Sequence, residues 1–370
     1  MSVLPPFLSL LSHCLSLLCG VKITALLLFL RGTQVIFAES FHVMSPDCSA
    51  ADNLTPATPS RSHMINRTSL NSKYYMQIDH SSTFHAPTHT YTVDGVVAQR
   101  SATGLLDDLF ECFDAFAVLA TYYNRWKKEE DPRYWSIIGF HRRADGSIDD
   151  EKAKLAIAAS WQDKGVQAAS VGTEFHFYAE RVLSKEHAVL SHRITLPAVQ
   201  FASFLSSDFY RLEHCLVPFR TELIVWCKID SVLVAAGQID ALFVGSEGFY
   251  IFDWKCVESK KDLSSTAQPF QGRMGRGIAE KIPDTPHHRY SLQTSLYAEM
   301  LKSSHKIDVG ARMYLLRVHS SVKDFELVRC TDFREEASAL LLAEYTRLLS
   351  SSAQDSCAEG CQRPTKRVRT

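Results

Sequence analysis

The middle of the chain carries apolar runs that predict a β-sheet. Three strands are predicted at 219–228, 233–244 and 250–255, and the polar break at 245–248 between the last two has the length of a hairpin turn. Two further strands are predicted at 311–318 and 324–329. Apolar positions spaced three and four apart predict helices over the following segments: 104–130, 148–163, 172–183, 194–209, 287–304 and 335–349. This order predicts a mixed sheet flanked by helices, with a helical extension on its N-terminal side.

Two of the predicted strands carry acidic residues among apolar neighbours. Asp240 lies in the second strand, Asp253 lies in the third, and Lys255 follows two residues after Asp253. Buried carboxylates are costly unless they are paired or bind a metal. Carboxylates delivered side by side by two strands make a hard oxygen site suited to Mg²⁺ or Mn²⁺. Because residues two apart in a strand point to the same face, Lys255 is expected beside that site.

This arrangement resembles the PD-(D/E)XK nuclease superfamily, in particular its RecB-like and phage-type exonuclease branch. The P-D element appears here as Ile239-Asp240, and the (D/E)xK element as Asp253-Trp254-Lys255. The resemblance implies an α/β (α+β) fold with a restriction-endonuclease-like core. It also implies a catalytic divalent ion, Mg²⁺ or Mn²⁺, and no small-molecule cofactor.

Two more elements of that branch occur in the right order around the acids. Gly172 and His176 match the G-x3-H motif of a helix before the sheet, and Gln293 and Tyr297 match the Q-x3-Y motif of a helix after it. By this resemblance His176 is a metal ligand, while Gln293 and Tyr297 contact the nucleic-acid backbone and steady the site.

The resemblance assigns a role to each residue of the proposed site. The predicted metal ligands are His176, Asp240, Asp253 and the backbone carbonyl of Trp254. Lys255 is predicted to orient the attacking water and to stabilise charge in the transition state. Two further acids could hold the ligands in position without binding the ion themselves. They are Glu180, on the helix of His176, and Glu222, at the start of the first strand.

A long, glycine-containing loop follows the third strand and carries several basic residues. Lys260, Lys261, Arg273 and Arg276 are predicted to contact phosphates, because a pliable basic loop beside a metal site suits that task. The predicted partner is DNA, single- or double-stranded, with RNA left open. The chain has no GxxxxGK[ST] motif, so helicase activity would have to come from a partner chain, such as a helicase or another replication protein.

Composition narrows the class of protein without identifying it. The chain has 370 residues, of which 46% are hydrophobic and 22% charged, as in ordinary globular proteins. Its net charge of −1 provides no global basic field, so binding to nucleic acid requires local basic patches. Its 10 cysteines are scattered, which favours reduced intracellular thiols and makes an iron–sulfur cluster unexpected. The predicted location is the nucleus or mitochondrion, with membrane or signal targeting left open by the apolar N-terminus.

The ends of the chain are predicted to lie outside the nuclease domain, which is placed at 101–350. Residues 1–43 form an apolar leader, and four interpretations of it stay open. It could be a signal peptide, a membrane anchor, an organellar presequence, or a segment upstream of a true translation start at Met44 or Met64. Residues 44–100, rich in Ser, Thr, Asn and Pro, are predicted to be a linker or loosely ordered arm. Residues 351–370 are predicted to be a basic disordered tail.

The sequence therefore predicts a metal-dependent DNA nuclease that hydrolyses phosphodiester bonds in repair, recombination or replication. An exonuclease is favoured. The alternatives are a structure-specific endonuclease on the same fold and a DNA-binding module without catalysis.

Overall fold

Five strands form a mixed sheet in the centre of the fold. The computed structural model describes residues 68–258 and 263–359, with side chains as far as residue 351. The strands are β4 (Val217–Ile229), β5 (Val232–Gly245), β6 (Gly248–Lys255), β7 (Met313–Arg317) and β8 (Glu326–Arg329). They are ordered β4-β5-β6-β7-β8, and only the β6–β7 pair is parallel. The predicted α/β class, a mixed sheet flanked by helices, is confirmed.

The helices cover both faces of this sheet. They are α1 (Ser69–Lys73), α2 (Ala102–Asp107), α3 (Ala115–Lys128), α4 (Trp135–Phe140), α5 (Asp150–Leu183), α6 (Thr195–Ser206), α7 (Pro286–His305) and α8 (Arg334–Glu359). One face packs against α2, α7 and α8 through a large aliphatic cluster. The other packs against the end of α5 and against α6 through a cluster rich in aromatic side chains. Burial of these two apolar surfaces is the main force that holds the helices on the sheet.

Helix α5 is continuous over 34 residues, where the sequence predicts two separate helices. Its first turns pack with α3 and α4 in a small aromatic cluster that includes Trp126 and Trp161, and its last turns pack on the sheet. Residues 162–170 between them are exposed on every side. A helix that is polar all round bridges two packed bodies, so α5 joins the helical extension to the core. The predicted helix 104–130 is likewise two helices, α2 and α3.

The N-terminal segment from residue 68 onward is ordered, so the prediction of a loose arm over 44–100 is wrong for this part. Strands β1 (Ser82–His85), β2 (Thr90–Val93) and β3 (Val96–Val97) form a small antiparallel sheet. Tyr91 and Val93 are buried against Trp226 and neighbouring residues of β4 and β5. These few apolar contacts anchor the segment. They were not predicted because the segment is mostly polar.

The predictions for the chain ends fall largely outside the described residues. This holds for the leader 1–43, for 44–67, for the tail beyond 359, and for Lys260 and Lys261. Residues 351–359 continue helix α8, which corrects the prediction that they begin a disordered tail. None of the helices in the described ranges is both long and apolar enough to span a membrane.

Candidate metal-binding and nuclease site

The site forms where β5 and β6 separate. Their ladder ends at the pair Ala241–Phe252, after which β5 pairs only with β4, and β6 only with β7. Asp240 and Asp253 are the first residues beyond that last pair. Both predicted acids therefore lie at the edge of the gap between the separating strands, which we call the notch. Separation frees the backbone of Trp254 from the ladder, and Asp240 Oδ2 accepts its N–H at 2.7 Å.

His176 reaches this notch from helix α5 on the aromatic face of the sheet. Its Nδ1 lies 3.4 Å from Asp240 Oδ1, and its Nε2 lies 3.1 Å from the carbonyl oxygen of Trp254. Burial alone would lower the pKa of His176, but the negative charge of Asp240 outweighs it and raises that pKa to about 9. The ring therefore carries a proton between two predicted metal ligands, and a bound cation would have to displace that proton.

Asp253 and Lys255 form a buried ion pair on β6. Asp253 Oδ2 lies 2.5 Å from Lys255 Nζ, and the two side chains are 5% and 15% exposed. Burial raises the pKa of Asp253, and the nearby charge of Asp240 adds to the effect. Burial opposes the charged form of Lys255, yet Asp253 and Asp240 raise its pKa overall. The ring of Tyr290 lies under the ammonium, with Nζ 4.3 Å from its centroid.

Glu222 lies in the same row of the sheet as the two aspartates. The pairs Thr221–Ala241 and Leu223–Ile239 place it directly across from Asp240. One ligand atom each from His176, Glu222 and Asp240 lie within 4.8 Å of one another. Glu222, which the sequence suggested only as a supporting acid, is thus placed among the candidate ligands themselves.

The chemistry of these groups fits a divalent cation. Glu222, Asp240 and His176 bring their ligand atoms together, while Asp253, which follows the last β5–β6 pair, is held by Lys255 and is not part of that group. Carboxylate oxygens, an imidazole nitrogen and the Trp254 carbonyl are donors that Mg²⁺ or Mn²⁺ accepts. Mutual repulsion among the carboxylates would fall when such an ion binds.

Asn71 of helix α1 supports this row, and sequence reasoning missed it. Glu222 has a φ of 48°, a left-handed conformation that costs a non-glycine residue about 1–3 kcal/mol. Next to it, the Asn71 amide donates to the Thr221 carbonyl and accepts from the Thr221 N–H, both at 2.9 Å. Gln238 also donates to the Glu222 carbonyl at 3.0 Å. Asn71 therefore holds the backbone that presents Glu222.

Replacing Asn71 by Ala is expected to destabilise the fold by about 2–3 kcal/mol, because buried backbone groups of Thr221 lose their partners. The Mn²⁺ affinity of the folded protein should also fall, since Glu222 is no longer held. Urea unfolding measures the loss of stability. Titration of the folded protein with Mn²⁺, without urea, measures the loss of affinity. Exposed Ser72, its neighbour on α1, supplies the control S72A. Unchanged Mn²⁺ affinity in N71A would show that α1 does not position Glu222.

The Q-x3-Y residues lie on α7, on the opposite face of the sheet from His176. Gln293 Nε2 donates to the Tyr297 hydroxyl at 2.8 Å, and Tyr297 is buried. A Cβ at Gly237 would lie 2.6 Å from the Tyr297 ring, so glycine there allows the ring to lie against β5. Tyr297 is thereby suited to steady the strand of Asp240. Contact of Gln293 and Tyr297 with nucleic acid stays a prediction.

The remaining predicted residues lie further from the notch. Glu180 is buried one turn beyond His176 on α5, and its supporting role stays a prediction. Arg273 and Arg276 both approach Glu111, at 3.3 and 2.6 Å, instead of projecting freely. Their predicted phosphate contacts would compete with that carboxylate.

No family model matches the chain, and no curated protein sequence does. Among solved structures, the chain is similar in part to a provisionally assigned exonuclease from Eubacterium rectale, at 10% identity and a TM-score of 0.25. That match covers 70% of this chain and 79% of the other. The structure of the protein SSO0001 matches 48% of this chain and 74% of its own, at 14% identity and a TM-score of 0.22. Both likenesses are weak, so only the residues of the site carry an inference about function.

Proposed function

We propose that this protein is a metal-dependent nuclease that hydrolyses phosphodiester bonds in DNA, in the manner of an exonuclease. The observation that carries the proposal is the row of Glu222, Asp240 and Asp253 at the strand separation, with His176 and Lys255 beside it. Carboxylates that face one another across a notch are costly for a fold and useful for holding a cation against a phosphate. DNA repair, recombination or replication would supply such a substrate.

Each side chain would have a role that follows from its position in the site. Glu222, Asp240, His176 and the Trp254 carbonyl would hold Mg²⁺ or Mn²⁺, with Asp253 at the edge of the same notch. When bound, the ion would polarise the phosphate and make a coordinated water more acidic. Lys255, fixed by Asp253 and by the Tyr290 ring, would place its ammonium against the attacking water and the charge that develops on the phosphate. Tyr297 would keep the strand of Asp240 in position.

A cleavage assay on two forms of DNA tests the proposed function. The purified full chain is incubated with end-labelled linear DNA and with covalently closed circular DNA, in Mg²⁺ or Mn²⁺ and in EDTA. Metal-dependent loss of linear DNA alone is the result expected of an exonuclease. Cutting of the circles would change the assignment to an endonuclease, and binding without cutting would support a DNA-binding module.

Gly172 offers a second test, because the space beside it is open. A Cβ built there meets no atom within 4 Å, and Gly172 lies one turn before His176 on the same face of α5. G172A should stabilise the helix by about 0.5–1 kcal/mol. We expect cleavage to fall about tenfold, ~1.4 kcal/mol in the barrier, if the substrate backbone uses this space.

The matched control for Gly172 is Gly165, two turns earlier in the same helix. A Cβ at Gly165 also meets no atom within 4 Å, so G165A should give the same gain in stability and leave cleavage unchanged. Thermal unfolding and initial cleavage rates of both variants make the comparison. Equal cleavage by G172A and wild type would show that the substrate does not pass beside Gly172.

A further inference from the structure

A series of ring and arginine contacts, joined at Tyr290 and Arg289 only by the chain itself, leads away from Lys255 toward the helical extension. It begins at Tyr290 under Lys255 and passes to Arg289, whose guanidinium lies over the Phe110 ring at 4.8 Å. The further contacts are Arg289 to the Glu111 carbonyl at 2.8 Å, Arg273 to Glu111 at 3.3 Å, Arg273 over Phe270 at 5.4 Å, Phe270 to Tyr122 at 6.1 Å and Arg125 over Tyr122 at 5.2 Å. The series thus joins the candidate catalytic lysine to helix α3.

Three rings form what we call the aromatic strip: Tyr122 and Phe270 from this series, and Phe113, which connects to Tyr122 through the rings of Trp161 and Trp126. Phe113 is 69% exposed and Phe270 is 49% exposed, although both belong to the side chains that proteins usually bury. Phe113 lies two residues beyond Glu111, and its ring is 5.6 Å from Trp161. Gln271 holds the loop to α3 by donating to the Tyr122 hydroxyl at 3.0 Å. Phe270 thus lies in a short 3-10 turn held to α3, and Phe113 lies in the connection just before α3.

We infer that the aromatic strip binds single-stranded DNA and leads it to the nuclease site; this inference rests on the proposed function. Exposed rings interleaved with arginines match what a single strand offers, namely unpaired base faces and phosphates. Duplex DNA hides its base faces in the stack, so only the arginines could contact it. The contacts through Arg273, Glu111, Arg289 and Tyr290 link the strip to Lys255, so a strand lying on the strip would be directed toward the notch.

Glu111 offsets the positive charge of two arginines on this surface. Arg273 and Arg276 both pair with its carboxylate, which is 46% exposed at the side chain. A phosphate that reaches these arginines takes the place of Glu111, so the carboxylate weakens binding. Replacing it by Gln removes the competing charge and leaves a side chain of the same size.

The experiment measures DNA binding in EDTA, so that hydrolysis plays no part. A fluorescein-labelled oligothymidylate and a labelled duplex are titrated with the full chain, and anisotropy is followed. F113A and F270A are each expected to weaken single-strand binding about tenfold, ~1.4 kcal/mol, with little change for the duplex. E111Q should tighten single-strand binding. Phe140 on α4, 85% exposed and outside the strip, supplies the control F140A, expected to match wild type.

Wild-type affinity in both F113A and F270A, or an equal loss on single strand and duplex, would overturn the inference. Failure of this inference can be told apart from failure of the proposed function. A chain that binds single strands through these rings and never cleaves DNA supports the strip and refutes the nuclease. A chain that cleaves DNA with unchanged affinity in both ring variants refutes the strip and leaves the nuclease in place.

Discussion

Replacing Asp240 by Asn is expected to lower metal-dependent cleavage by about 10³-fold while the fold stays intact. Asn keeps the shape and can still accept the Trp254 N–H that Asp240 accepts at 2.7 Å. It loses the charge that faces His176 and Glu222, and so loses its contribution to cation binding. Cleavage rate, Mn²⁺ affinity and urea unfolding of D240N separate the loss of chemistry from the loss of structure.

The same substitution has a second readout that does not depend on activity. Burial lowers the pKa of His176, and the charge of Asp240 outweighs it to give a value of about 9. The pKa of His176 should therefore drop in D240N, which NMR titration of the imidazole measures. Exposed Asp230, bonded to Tyr345 at 2.8 Å, supplies the control D230N. Full cleavage by D240N would show that Asp240 is not a catalytic ligand.

Breaking the buried pair of Asp253 and Lys255 is expected to have a large effect on both stability and cleavage. D253N leaves the Lys255 ammonium buried, and K255M leaves the Asp253 carboxylate buried, so each should cost about 3–5 kcal/mol. The double variant D253N/K255M removes both charges, and its stability should return close to that of wild type. All three variants should lack cleavage, because the lysine or its partner is missing.

Urea unfolding of the four proteins gives the coupling energy between Asp253 and Lys255, and cleavage assays on the same samples complete the cycle. If the double variant regains the free energy of unfolding of wild type but not its cleavage rate, the two residues are needed for cleavage and not for stability. A double variant as unstable as the sum of the two single variants would contradict a coupled pair. Cleavage by the double variant would remove both residues from the proposed mechanism.

The sequence predicted the strands of the large sheet well because their apolar runs are long and the turn between β5 and β6 is short. Asp240, Asp253 and Lys255 could be found for the same reason, since acids and a lysine stand out in strands that are otherwise apolar. The structure brings these residues together with His176, which the G-x3-H spacing indicated.

The features that the sequence missed depend on contacts between distant segments. Glu222 faces Asp240 only through the register of β4 on β5, and its left-handed φ cannot be seen in a strand-like sequence. Asn71 lies in a polar stretch that resembles a linker, and its role follows from its bonds to Thr221, 150 residues later. A side chain that bonds a distant backbone leaves no local periodicity to detect.

The length of α5 was missed for a different reason. Its exposed middle, 162–170, has no apolar face, so the spacing that predicts helices fades there although the helix continues. Tertiary packing at its two ends stabilises the whole helix, and the intervening turns follow from cooperativity. The aromatic strip likewise depends on the loop around Phe270 meeting α3, which sequence spacing does not encode.

Whether the row of acids supports metal-dependent cleavage can be measured as the release of label from linear single-stranded DNA by the full chain in Mg²⁺, compared with EDTA and with D240N. We expect steady release by wild type in Mg²⁺, none in EDTA, and about 10³-fold slower release by D240N. Release that persists in EDTA, or that is equal in D240N and wild type, would contradict a metal-dependent nuclease built on this row of acids.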